Sequence, residues 1–273
     1  METIIVGTDF SLPATNAVNY ASGLAKFFSA RLILVNAFSL PLAGYDSMEP
    51  LDMIAELQQN SVSRLNELKN DIIKRNYDFG IECVSVIGSS FATMRDVANK
   101  YSADLAVMGM VGEGSFVKKY LVGSSAIHSA RELSIPLFIV PEAAKYHKIH
   151  QIAFACDMEK IEETTLLHSA KYFASVFDAE IELVTVNQNS DDGAWNKNEP
   201  CSFVEKRLET VRHKNVHIRD NNVSQALQYY FKFHKTDLVI VNPKKHGFFQ
   251  TLFAESITKN LAFSMEVPLL IIH

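Results

Sequence analysis

The chain is poor in anything that would staple, anchor or tether it. Its 273 residues hold only three cysteines, Cys83, Cys156 and Cys201, an odd number at wide spacing. They form no CxxC pair and no zinc-ligand spacing, which excludes a disulfide framework or a thiolate metal knot. Cys83 lies within an apolar strand pattern and reads as a core residue. No apolar run approaches the roughly 20 residues that cross a bilayer. The opening "METIIVGTDFS" passes directly into a strand pattern, without the charged start and small-residue cleavage site of a secretory leader. Positive charge is also short. With 26 Lys+Arg against 31 Asp+Glu, the net charge is −5, which provides no broad field for nucleic acid. These absences lead to the expectation of a cytoplasmic protein in a reducing setting, with no membrane and no nucleic-acid partner.

Several catalytic and nucleotide motifs are missing too. There is no GxxxxGK[ST], hence no Walker-type phosphate loop. The dinucleotide pattern GxGxxG fails, because Gly112-Glu113-Gly114 is followed by Ser115, Phe116 and Val117. The nine histidines form no HExxH, and Asp191, Asp192 and Glu199 do not fit a calcium loop. No metal site is assigned. No catalytic residue is assigned either, since no side chain stands out as a base for an attacking water. Any hydrolysis would be slow and would come from charge stabilisation.

What the chain does contain is a repeat. "TIIVGTDFS" at 3–11 resembles "QIAFACDME" at 151–159, and "ARLILVNAF" at 30–38 resembles "AEIELVTVN" at 179–187. "ADLAVMGM" at 103–110 resembles "TDLVIVNP" at 236–243, and "SIPLFIVPE" at 134–142 resembles "EVPLLIIH" at 266–273. Four landmarks recurring in one order imply two homologous halves, taken as domains 1–144 and 145–273. In the first half, strands are expected near 3–7, 31–37, 81–87, 104–109 and 137–140. They are short, rich in Val, Ile and Leu, and show little polar alternation, as do strands covered on both faces of a parallel sheet. Helices lie between them. The first starts at the N-cap Ser11, with Val18, Ala21, Ala25 and Phe28 inward. A longer one spans Met48 to Arg75, with Leu51, Ile54, Leu57, Val62, Leu65, Leu68 and Ile72 on its inner side. The fold class is therefore α/β, with two open parallel five-stranded sheets and helices on both faces.

The segment "GMVGEGSFVKKYLVGSS" at 109–125 carries the candidate site. It follows a strand end, where open α/β sheets place ligands. Its glycines permit close backbone approach. Gly123-Ser124-Ser125 opens a helix, and a helix start offers free N–H groups and a partial positive charge to an anion. A plain glycine-rich turn is the competing reading. Asp9, at the end of the first strand in "VGTDFS", is an acceptor suited to ribose hydroxyls or a magnesium-bound water. Lys118 and Lys119 read as solvated loop charges, as do Lys244, Lys245 and His246. His128 reads as a helix-surface residue. Phe248 and Phe249 read as packing rather than a base-stacking surface.

In this order the landmarks resemble a tandem universal stress protein over nearly the whole chain. Nucleotide-binding members carry Gly, two residues, Gly, nine residues, then Gly-Ser or Gly-Thr. Here Gly109 and Gly112 keep the first spacing, and ten residues separate Gly112 from Gly123-Ser124. The resemblance implies a strand order of 3-2-1-4-5 and a bound ATP, or AMP or ADP, with or without magnesium. It places Gly7, Asp9 and Gly109 in one crevice, the base near Ala37 and Met108, and the phosphates against Gly112, Gly123, Ser124 and Ser125. It also implies a nucleotide-dependent regulator with an unidentified protein partner; a nucleotide-free interaction scaffold and a nucleotide-dependent transferase stay open beside it. In the family the closing strands pair two domains. Here "PLFIV" and "PLLII" would make the chain its own pseudo-dimer, open to further homodimerisation. In the second half Asn242 and Pro243 stand at the first glycine, and Glu255 stands where Gly123 did, so a carboxylate replaces the phosphate cradle. Only Ser256 and Asp157 persist, and that half is expected to bind no nucleotide.

Overall fold

Short runs of branched aliphatic residues set up the sheets, and the polar residues between them set the caps. The computed structural model describes residues 1–40, 50–75, 78–110, 133–155, 164–187, 202–241 and 267–272. The chain divides into two compact units, Met1–Tyr146 and His147–His273. The first contains β1 (Thr3–Gly7), α1 (Leu12–Phe28), β2 (Arg31–Phe38), α2 (Pro50–Lys74), β3 (Ile81–Ile87), α3 (Ser90–Lys100), β4 (Leu105–Met110) and β5 (Leu137–Pro141). Its strands are parallel in the order β3-β2-β1-β4-β5. The second contains β6 (Gln151–Ala155), α4 (Thr164–Phe177), β7 (Glu180–Asn187), α5 (Ser202–Leu208), β8 (His213–Arg219), α6 (Val223–Phe233), β9 (Leu238–Val241) and β10 (Leu269–Ile271). Its order is β8-β7-β6-β9-β10, again parallel. Both units therefore have the order 3-2-1-4-5.

The register makes the two halves comparable residue by residue. Gly7 pairs with Val35 and Met108, and Ala155 pairs with Val184. The first strand of each unit is buried along almost its whole length, which fits its central place between two neighbours. Helices cover both faces. A Cβ built on Gly7 would meet Met94 of α3, whereas one on Gly109 would meet Pro13 and Ala14 of α1. Gly109 follows Met108, the partner of Gly7, so side chains at Gly7 and Gly109 project to opposite faces.

The helix starts have identifiable causes. Ser11 caps α1 by accepting from the Ala14 N–H, with Pro13 in the first turn. Ser89 caps α3 and Asn222 caps α6 in the same way. Ser29 ends α1 in the left-handed region, at φ 54°. The buried side of α2 differs from the expected stripe. Leu51 and Val62 are exposed, while Met53, Ser61, Leu65 and Ile72 are buried. The 3.6-residue period passes through Ser61 rather than Val62, and polarity hid that position from an apolar search. Phe28 and Cys83 are half-buried, not fully enclosed. Burial raises the Cys83 thiol pKa, against a smaller lowering by Lys69, so that sulfur is a poor nucleophile.

A repeated aspartate closes the amino end of each sheet. Asp104 Oδ2 accepts from the Glu2 and Thr3 amides at 2.6 and 3.0 Å. Asp237 Oδ2 accepts from the His150 and Gln151 amides at 2.8 and 2.9 Å. These carboxylates tie the start of the fourth strand to the start of the first. Asp237→Ala leaves two strand-end amides without their acceptor and is expected to cost about 1–2 kcal/mol, read as a lower urea midpoint at unchanged slope.

Two polar clusters belong to the second unit. His213 Nε2 meets Glu205 Oε2 at 2.7 Å. Burial alone would lower the imidazole pKa, but the Val211 carbonyl and the Glu205 carboxylate outweigh it and hold the value above the ordinary 6.5. A raised folded-state pKa means that the charged form is favoured by folding. The stabilisation is complete below pH 6.5 and is lost as pH rises through the higher folded-state value. Glu205→Gln is expected to flatten this dependence in unfolding titrations run on either side of neutrality.

The second cluster centres on Glu182, which is 5% exposed. It accepts from the Tyr230 hydroxyl at 2.5 Å and from Lys214 Nζ at 2.6 Å. The hydrogen bond to Glu182 raises the lysine pKa. Burial first, then Glu182, pushes the phenol far up. The carboxylate thus has both a hydroxyl and an ammonium partner within the core.

Candidate functional site

The reversal of strand order falls at β1. The chain steps outward from β1 to β2 and β3, then crosses back over β1 to β4. Helix α1 leaves β1 on one face of the sheet and α3 returns from β3 to β4 on the other, the arrangement in which open α/β sheets place ligands at the carboxyl ends of the strands. Gly7, Val35 and Met108 stand abreast at this end. Beyond them lie Asp9, Ala37 and Gly109, so the structure brings all five described candidates, Gly7, Asp9, Ala37, Met108 and Gly109, to one end of three adjacent strands. Gly112, Gly123, Ser124 and Ser125 lie outside the described residues. So do Lys118, Lys119, His128, Cys156, Asp157, Cys201 and the stretches 188–201 and 242–266, which include Asn242, Pro243, Glu255 and Ser256.

Asp9 is exposed, and its Oδ1 accepts from the Ser11 amide at 2.9 Å. Among the described residues its second oxygen has no partner. This carboxylate supports the passage of the chain from β1 into α1 and keeps its second oxygen as an acceptor. The fit to a magnesium-bound water rests on that single oxygen. Among the described residues, no three His, Cys, Asp or Glu side chains cluster as a metal cage. Ala37 is half-buried near the end of β2, while Met108 is 6% exposed, a core side chain.

Gly109 carries a structural duty that the sequence did not reveal. A Cβ there would lie 2.5 Å from the Pro13 carbonyl oxygen and 2.9 Å from the Ala14 nitrogen. The missing side chain lets the first turn of α1 rest on β4. Gly7 has a similar but softer reason, with Met94 Sδ 3.2 Å from a built Cβ. Both glycines are explained by packing before any ligand is considered.

Sequence reasoning missed a polar chain beneath the β1–α1 turn. Asn36 Nδ2 donates to the Thr8 carbonyl at 2.6 Å, Ser61 Oγ donates to Asn36 Oδ1 at 2.7 Å, and Ser85 Oγ donates to Ser61 Oγ at 2.7 Å. Arg64 of α2 lies over the Phe10 ring, 4.1 Å from its centroid. Each residue sits in an ordinary strand or helix pattern, so only the partner positions expose the chain.

A doubly wound parallel α/β unit, with its crevice at the β1/β4 reversal and an aspartate leading out of β1, defines the class of the first unit. The universal stress protein family model matches residues 1–141, just over half of the chain, and the chain belongs to that family. The fold is similar to that of a universal stress protein from Archaeoglobus fulgidus DSM 4304, at 14% identity and a TM-score of 0.71, covering 99% of this chain and 95% of that one. It is also similar to a functionally unknown protein from Pseudomonas aeruginosa PAO1, at 11% identity and a TM-score of 0.63, covering 100% and 92% respectively. No curated protein matches the chain. Among the described residues no helix is long and apolar enough to cross a membrane.

Proposed function

We propose that the chain binds one adenine nucleotide, ATP or its mono- or diphosphate, in its first unit and acts as a cytoplasmic nucleotide-dependent regulator rather than a rapid enzyme. The observation that carries this reading is the placement of Asp9, Ala37 and Gly109 at the carboxyl end of β1, β2 and β4, at the strand-order reversal of the family-matched unit. Asp9 would meet the ribose, the end of β2 at Ala37 the base, and Gly112, Gly123, Ser124 and Ser125 the phosphates. The domains are taken as 1–144 and 145–273, the second serving as a structural partner without nucleotide.

Calorimetric titration with Mg·ATP is expected to give one site per chain. Asp9→Ala is expected to weaken that binding about tenfold, as loss of a charge-assisted hydrogen bond would, while loss of its exposed bond to the Ser11 amide lowers stability by no more than about 1 kcal/mol. No heat in the wild type, with no adenine nucleotide released from denatured purified protein, would refute the reading. The second reading, a nucleotide-free interaction scaffold, is favoured by one observation: packing already accounts for Gly7 and Gly109.

A further inference from the structure

The β1–α1 turn is held more firmly than a surface turn needs. Its Phe10 adopts φ 65°, a left-handed conformation that bulky residues seldom take and that persists only where surroundings impose it. Four contacts impose it here. The Thr8 amide donates to the Val35 carbonyl at 2.8 Å. The Phe10 amide donates to Thr8 Oγ1 at 3.0 Å. Arg64 covers the Phe10 ring. Asn36, itself fixed by Ser61 and Ser85, grips the Thr8 carbonyl. That carbonyl belongs to the peptide joining Thr8 to Asp9, so the amide of Asn36 fixes the plane from which Asp9 departs. The Thr8 carbonyl, which can only accept, fixes which way the Asn36 amide points, and the Ser61 hydroxyl then donates to the oxygen that remains.

The second unit carries different residues at the same strand position. Asn36 follows Val35, and Thr185 follows Val184, the residues paired with Gly7 and Ala155. Thr185 has one short hydroxyl, and its Oγ1 is buried with no hydrogen-bond partner among the described residues. Ser85, opposite Asn36, is replaced there by His217, opposite Thr185.

We infer that Asn36 is a positioning residue for the crevice: the Ser85–Ser61–Asn36 chain, reaching across β3, α2 and β2, preforms the turn that presents Asp9 to the ribose. This rests on the nucleotide reading above. A preformed acceptor binds more tightly because no turn must be ordered on binding.

The test uses the full chain, AMP as the probe, and temperatures well below unfolding. Asn36→Ala is expected to weaken AMP about tenfold, and the milder Ser85→Ala about twofold. In Asp9→Ala background, Asn36→Ala is expected to cost no further affinity, a coupling that simple loss of stability would not produce. Without nucleotide, amide exchange at Thr8, Phe10 and Ser11 is expected to quicken in Asn36→Ala. Wild-type affinity in a folded Asn36→Ala, losses that add with Asp9→Ala, or unchanged exchange would each overturn the positioning role. Wild-type protein that ignores both AMP and Mg·ATP, with exchange still quickened in Asn36→Ala, would overturn the nucleotide reading and leave the turn-fixing role standing. If Asn36→Ala fails to fold, Ser85→Ala carries the same comparisons.

Discussion

Ile33→Glu is expected to unfold the first unit at neutral pH, although the second unit carries a glutamate at the equivalent place. Ile33 pairs with Ile5 and Glu82; Glu182 pairs with Ala153 and Lys214. The positions match in register, and their surroundings decide the outcome. Glu182 has Lys214 on the next strand and the Tyr230 hydroxyl from α6. A glutamate at 33 would find Glu82, already paired with Arg31 at 3.6 Å, where the lysine stands. It would also find Val97 eight residues after the α3 cap, where Tyr230 stands eight residues after the α6 cap. A buried carboxylate facing a like charge and an apolar wall is expected to cost more than about 4 kcal/mol. Far-ultraviolet circular dichroism and urea unfolding would register the loss. The penalty should shrink as pH falls toward about 4.3, the ordinary glutamate value, because its folded-state pKa would be raised and the neutral acid is cheaper to bury.

The reciprocal change is expected to be milder. Glu182→Ile removes an ion pair whose lysine is half exposed and can return to water. It leaves the Tyr230 hydroxyl without an acceptor but restores an aliphatic residue to a sheet core. The neutrality often seen when a buried ion pair is replaced needs both partners changed, so the unpaired Tyr230 hydroxyl sets the expected loss at about 1–3 kcal/mol. A larger loss would show that the cluster specifies the packing of α6, not merely its own solvation.

This pair of positions shows where sequence reading succeeds and where it stops. The strands, their ends and their recurrence were legible because a parallel strand covered on both faces must be short and aliphatic, and eight such runs in two matching sets leave little choice. The cap at Ser11 followed from side-chain chemistry alone. Glu182, Asn36, Ser61 and the strand-closing Asp104 and Asp237 were not legible as core or framework residues. A buried polar group is stable only through a partner, and that partner lies 25 residues off for Ser61 and Asn36, 48 for Glu182 and Tyr230, and 86 for Asp237 and Gln151. Periodicity is local and cannot see such pairings. For the candidate site, the strand ends at Asp9, Ala37 and Gly109 could be placed from the sequence, whereas the reason for Gly109 could not.

Gly109→Val should separate the two duties that a glycine at this strand end can have. If the residue matters only because a nucleotide backs onto it, the nucleotide-free protein should be as stable as wild type. The structure predicts otherwise. The Pro13 oxygen and carbon lie 2.5 and 2.7 Å from a built Cβ, and they are backbone atoms in the first turn of a helix, with no rotamer to change. Either α1 lifts from β4 or β4 shifts from β5, to which Gly109 is paired opposite Val140. Overpacking of this kind costs about 3 kcal/mol, equivalent to a fall in Tm of roughly 6–12 °C, and it should appear without ligand. Gly80→Ala provides the control, because its built Cβ meets Arg31 Cβ at 3.7 Å, an ordinary contact, and its Tm should move little. A variant at 109 that melts with wild type yet rejects ATP would mean that α1 gives way easily and that the glycine is kept for the ligand. A variant that melts early and, once stabilised by cold, still binds ATP would mean that the packing of helix on strand is the whole reason this position has no side chain.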